Sequence, residues 1–95
     1  MKKKIIERKL EELDHLMKGT TMVLEGKLPS VDGLNVNQTL DLLFRQYITT
    51  EVLLKLRNEI DMNTNFYFMC SDIEYIKQIL TNAGYIKKTV KVATR

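Results

Sequence analysis

Residues 66–74 read Phe66-Tyr67-Phe68-Met69-Cys70-Ser71-Asp72-Ile73-Glu74, and the fold class turns on how they are divided. The first five are aromatic and apolar, too short a run for a helix, and read as a strand. Ser71-Asp72-Ile73-Glu74 has the form of a capping box, the serine hydroxyl reaching forward and the Glu74 carboxylate reaching back. Behind it Ile73, Ile76, Ile79, Leu80 and Ala83 mark the inner face of a helix, and Gly84 stands where a left-handed C′ residue is wanted. From Ile86 to Ala93 the pattern alternates, with Ile86, Lys88, Val90 and Val92 on one side and Tyr85, Lys87, Thr89 and Lys91 on the other. The crossover from Cys70 to Gly84 has about the length of a βαβ connection, so residues 65–93 are expected to form a parallel strand–helix–strand unit.

Upstream the periodicity is helical. Ile6, Leu10, Leu13 and Met17 recur at spacings of four, three and four, with Ile5 and Leu16 widening the stripe. The end of this segment has two readings. Gly19 closes it and Thr20–Glu25 is a short strand, or the helix runs on and Gly26 with Leu28-Pro29 stops it within residues 1–26; the longer helix is preferred. Residues 27–36 hold the single proline among turn-forming residues and read as a loop. Asn37 is a fair N-cap for Leu40, Leu43, Phe44 and Tyr47. Thr49-Thr50 offers a second cap for Val52, Leu53, Leu56 and Ile60, so residues 37–61 read as a pair of helices. The expectation is a single α+β domain of three N-terminal helices followed by a β-α-β unit. Two strands alone make a poor sheet, so a further strand or dimerisation is expected to complete it.

A chain of 95 residues is one domain, and 44% hydrophobic with 28% charged residues is an ordinary globular balance. No apolar run approaches the ~18 residues of a membrane span. A single cysteine forms no internal disulfide and fits a reducing, cytoplasmic compartment. The net charge of +3 is unevenly divided. Lys2, Lys3, Lys4, Arg8 and Lys9 against Glu7 make the first ten residues strongly basic, and Lys87, Lys88, Lys91 and Arg95 do the same at the other end. Between them six bases face eleven acids. The protein is an acidic body with two basic ends, and those ends would have to meet any polyanion.

Catalysis has little to draw on: one His, one Cys and no glycine-rich phosphate loop. His15 sits on a helix among Glu11, Glu12 and Lys18, without a second ligand at metal-binding spacing. Cys70 precedes a helix N-terminus, which favours a thiolate, but no histidine or second cysteine stands near it in sequence. No catalytic residue, cofactor or metal site is assigned, and the chain is read as a non-enzyme. The leading reading is a small regulatory protein, an adaptor or inhibitor of bacterial, phage or mobile-element type. It binds a protein partner through Ile6, Leu10, Leu13 and Met17 and forms a homodimer. The alternative is a dimeric DNA- or RNA-binding regulator. It would use Lys55, Arg57 and Asn58 on the second member of a helix-turn-helix, or Lys87 and Lys91 on a basic sheet face.

Overall fold

The computed structural model describes residues 2–30, 33–60 and 72–87, and among these every regular element is helical. α1 (Lys2–Leu24) is the longer of the two helices open to the first segment. It continues through Gly19 because Thr20 and Thr21, β-branched residues that also suit a strand, place their hydroxyls on the Leu16 and Met17 carbonyls one turn back, at 2.8 and 2.7 Å. The helix ends at Gly26, whose φ of 79° lies in the left-handed region. There the Lys27 N–H reaches the Met22 carbonyl at 2.8 Å and the Gly26 N–H reaches Val23 at 3.0 Å, the paired bonds of a Schellman motif.

α2 (Val36–Ile60) corrects the expected helix pair, since its 25 residues are continuous. Its cap is Asn35 rather than Asn37. The Gln38 N–H donates to Asn35 Oδ1 at 2.8 Å and the Asn35 N–H donates to Gln38 Oε1 at 2.9 Å, a reciprocal capping box. Thr49 and Thr50, read as the cap of a second helix, instead donate to the Arg45 and Gln46 carbonyls at 2.9 and 2.7 Å. A threonine hydroxyl can cap a helix or bond backwards inside one, and residue type does not say which.

α3 (Ile73–Asn82) starts one residue later than the sequence suggests. Asp72 is its N-cap and accepts from the Tyr75 N–H at 3.1 Å. Its other end is as expected: Gly84 has φ 91°, and Tyr85 N–H closes onto the Leu80 carbonyl at 2.9 Å. The α+β class is thereby overturned. Ile86 and Lys87 follow the cap in irregular backbone, Thr20–Leu24 is helix, and the described residues form a three-helix, all-α arrangement. The expected strand 66–70 and most of 86–93 lie outside the described residues.

α1 and α2 form an antiparallel hairpin, with Glu7 beside Arg57 at one end and Thr20 beside Gln46 nearer the loop. α3 packs across the loop-proximal half of one side. Met17, Leu43, Tyr47, Ile76 and Leu80 are the core, with Leu24, Phe44, Ile73, Ile79, Tyr85 and Ile86 packed against it. The Phe44 and Tyr85 rings meet with centroids 5.2 Å apart. Two tyrosine hydroxyls fasten α3 at its edges: Tyr75 donates to Glu25 at 2.9 Å, and Tyr85 donates to Asp41.

These bonds set the pH response. The Tyr75 hydroxyl holds the Glu25 carboxyl below its ordinary value of 4.5. The same bond raises Tyr75 above 10.0, Asp41 raises Tyr85, and burial raises Tyr47. A lowered carboxylate contributes stability above its unfolded value and loses it as pH falls through the folded one. A raised tyrosine contributes below its unfolded value and loses it as pH rises through the folded one. The stability difference between wild type and Tyr75→Phe is therefore expected to be present at pH 7. It should vanish below the lowered Glu25 value and above the raised Tyr75 value, as read by denaturant titrations across pH.

Gly19 gives a second test. A Cβ there meets nothing within 4 Å and its φ is not positive, so Gly19→Ala should raise stability by about 0.5–1 kcal/mol. Gly26→Ala, forced into the left-handed region, should lose about 1–2 kcal/mol in the same denaturation assay.

Candidate interaction surface

The seam between α1 and α2 mixes apolar and polar side chains. Leu10, Leu13 and Met17 of α1 face Leu43, Gln46, Tyr47, Thr50 and Arg57 of α2, all buried. The Arg57 guanidinium, 5% exposed, donates from Nε to Glu7 Oε2 at 2.7 Å. The Thr20 hydroxyl shares its proton between the Leu16 carbonyl and Gln46 Oε1, 3.0 Å away, and Thr50 Oγ1 lies 3.7 Å from Met17 Sδ. Asp14 is also buried. Every buried side-chain nitrogen or oxygen among the described residues has a partner, so the seam is a closed network rather than an open polar pocket.

The two sides of the hairpin differ. α3 lies over the side that carries Lys18, Thr21, Met22, Val36 and Leu40. Leu42, two residues and about 160° around the helix from Leu40, points to the other side. There it lines a shallow apolar groove of about 220 Å³ with Leu16, Gly19, Thr20, Val23 and Leu34. The groove continues as two rows spaced four, three, four, three and four, which keep to one side of a helix. On α1 the row is Ile5, Lys9, Glu12, Leu16, Gly19 and Val23; on α2 it is Leu42, Gln46, Thr49, Leu53, Leu56 and Ile60. Five of its apolar members are exposed, from 37% for Leu42 to 65% for Ile5, with Leu16, Leu56 and Ile60 between, while Leu53 and Val23 are half-buried. Lys9 and Glu12 pair at 3.6 Å in the middle of the α1 row.

The residues singled out from sequence fall elsewhere. Leu10, Leu13 and Met17 are buried in the seam and Ile6 is half-buried beside them. Of the basic set, Arg57 is sequestered by Glu7, Lys55, Asn58 and Lys87 are exposed, and Lys91 and Cys70 lie outside the described residues. With α2 continuous, no separate recognition helix exists between residues 36 and 60. His15 is exposed at the groove edge. Among the described residues no three His, Cys, Asp or Glu side chains gather as a metal would require, and no helix is long and apolar enough to cross a membrane. The open face carried one signal in the sequence: Ile5 and Leu16 lie on a second heptad row, offset from the Ile6–Met17 stripe and matched by Leu42–Ile60. No family model, curated protein or solved structure matches this chain.

Removing Arg57 leaves the Glu7 carboxylate without its partner in a half-buried setting. Arg57→Ala should therefore cost about 2–3 kcal/mol, below the range for fully buried pairs because Glu7 retains some solvent. Denaturant unfolding reads this directly; a change under about 0.5 kcal/mol would assign the pair to the weak surface class.

Proposed function

We propose that this chain is a small, non-enzymatic regulatory protein that works as a protein-interaction module, an adaptor or inhibitor, through the open apolar face of its α1–α2 hairpin. The observation that carries this reading is the pair of heptad rows on the side away from α3. Ile5, Leu16, Leu42, Leu56 and Ile60 all stand in solvent there. Single exposed apolar residues are commonplace, but exposed apolar residues recurring along two adjacent helices, with a few polar residues between them, make a surface that helical partners recognise. The low chemical content of the sequence, with one His and one Cys, agrees with a role in binding. Membership in a bacterial, phage or mobile-element regulatory system is the setting that composition suggests.

The test uses two substitutions on exposed positions, Leu16→Glu and Leu56→Glu, combined in one variant that should keep its helical circular dichroism. A fluorescent amphipathic peptide with a leucine heptad should bind wild type with a dissociation constant of about 1–100 μM and lose at least about tenfold in the variant. In parallel, random-sequence duplex and single-stranded DNA are titrated across salt, since phosphate contacts weaken linearly in log salt. Steep, salt-dependent DNA binding that survives both substitutions, with no peptide binding, would overturn the reading in favour of a nucleic-acid regulator.

A further inference from the structure

We infer that the occupant of the open hairpin face is a second copy of this chain, packed as an antiparallel four-helix arrangement about a two-fold axis; this rests on the reading of that face as an interaction surface. The argument is self-complementarity. A two-fold interface requires that when residue i meets residue j, j meets i. The α1 row runs apolar, basic, acidic, apolar: Ile5, Lys9, Glu12, Leu16. Laid antiparallel on its own copy with the axis between residues 10 and 11, Ile5 lies opposite Leu16 and Lys9 opposite Glu12. Charges and apolar groups are then both matched. One heptad step outward, Lys2 lies opposite Gly19, where a missing side chain leaves open space for a lysine stem.

The same axis must serve α2, and it does. The hairpin register is fixed by Glu7–Arg57, Thr20–Gln46 and Met17–Thr50, pairs whose residue numbers add to 64, 66 and 67. An axis between residues 10 and 11 of α1 therefore falls near residues 54–56 of α2. At that level Leu53 lies opposite Leu56 of the second copy, and Thr49 lies opposite its Ile60. An unrelated partner has no reason to make the α1 row chemically palindromic about a point that also pairs the leucines of α2. The overlap runs about 25 Å along α1 and two helices wide, roughly 900 Å² in projection over both copies. That places the dimer at the weak end of specific interfaces, so it should form and dissociate at micromolar concentrations.

Sedimentation equilibrium on the full chain, up to about 500 μM, measures the dissociation constant, with circular dichroism reporting the fold of each variant. Wild type should pass from 11.1 kDa to twice that mass. Leu16→Glu should weaken the dimer at least about tenfold, and Lys9→Glu, which sets like charges opposite one another, should do the same. Glu12→Lys added to Lys9→Glu should restore it, because the swapped row is again self-complementary. A wild-type chain that stays monomeric throughout would overturn the second copy as occupant and leave the apolar face to a different partner. A dimer indifferent to Leu16→Glu would overturn both this arrangement and the reading of the face. A dimer lost with Lys9→Glu and not restored by the double swap would overturn the two-fold register proposed.

Discussion

The register between α1 and α2 is the constraint on which the rest of the structure depends. An apolar seam of leucine and methionine alone tolerates a slip of one helical turn, because one branched side chain fills the place of another with modest loss. Polar cross-links do not tolerate it. If α2 moved one turn along α1, Arg57 would leave Glu7 and Gln46 would leave Thr20, and the buried Arg57 guanidinium and Gln46 amide would each lose a partner. The threonines contribute differently. Thr20, Thr21, Thr39 and Thr50 satisfy their hydroxyls on carbonyls one turn back, so each is buried as a small side chain without an unsatisfied polar group.

With that register set, α3 decides which surface is left. It caps the loop-proximal half of the hairpin on one side, anchored by Ile76 and Leu80 in the core and by the Tyr75 and Tyr85 hydroxyls at its margins. A third helix of ten residues cannot wrap two helices of 23 and 25. Among the described residues nothing covers the other long side of the hairpin, and Ile5, Leu16, Leu42, Leu56 and Ile60 stand in solvent there. The proposed binding role and the proposed self-association both follow from this asymmetry, and neither draws on a titratable group of unusual behaviour. The groups that do shift in these pairs, Glu25, Tyr75 and Tyr85, lie at the α3 margin rather than on the open face.

Features that depend on a few neighbouring residues were legible in the chain itself. The extent of α1 past Gly19, the glycine stops at Gly26 and Gly84, and the helix from Ile73 follow from spacing and from the backbone conformations that only glycine adopts freely. Local signals failed where two local solutions exist for the same residues. Asn35 and Asn37 are both good caps, and the reciprocal partner Gln38 selects the first. Ser71 and Asp72 compete in the same way, and Asp72 takes the Tyr75 amide. Thr49-Thr50 reads as a helix start, yet its hydroxyls are used inside the helix that it was expected to divide.

Amino-acid order by itself determined that the chain opens with a long amphipathic helix, where the α1 and α3 C-terminal glycines stop their helices, and that its charge gathers at the ends. What covers the inner row of α1 was decided only by tertiary packing. Ile6, Leu10, Leu13 and Met17 are all apolar while Lys9 and Glu12 interrupt the Ile5–Leu16 row, so α1 itself marks the first as the inner row but does not say what covers it. The Glu7–Arg57 and Thr20–Gln46 contacts, made between residues 50 and 26 positions apart, turn the first row inward and leave the second in solvent. Periodicity reports that a helix has a face to bury; the partner that buries it comes from distant sequence, and so the surface left over is a property of the fold.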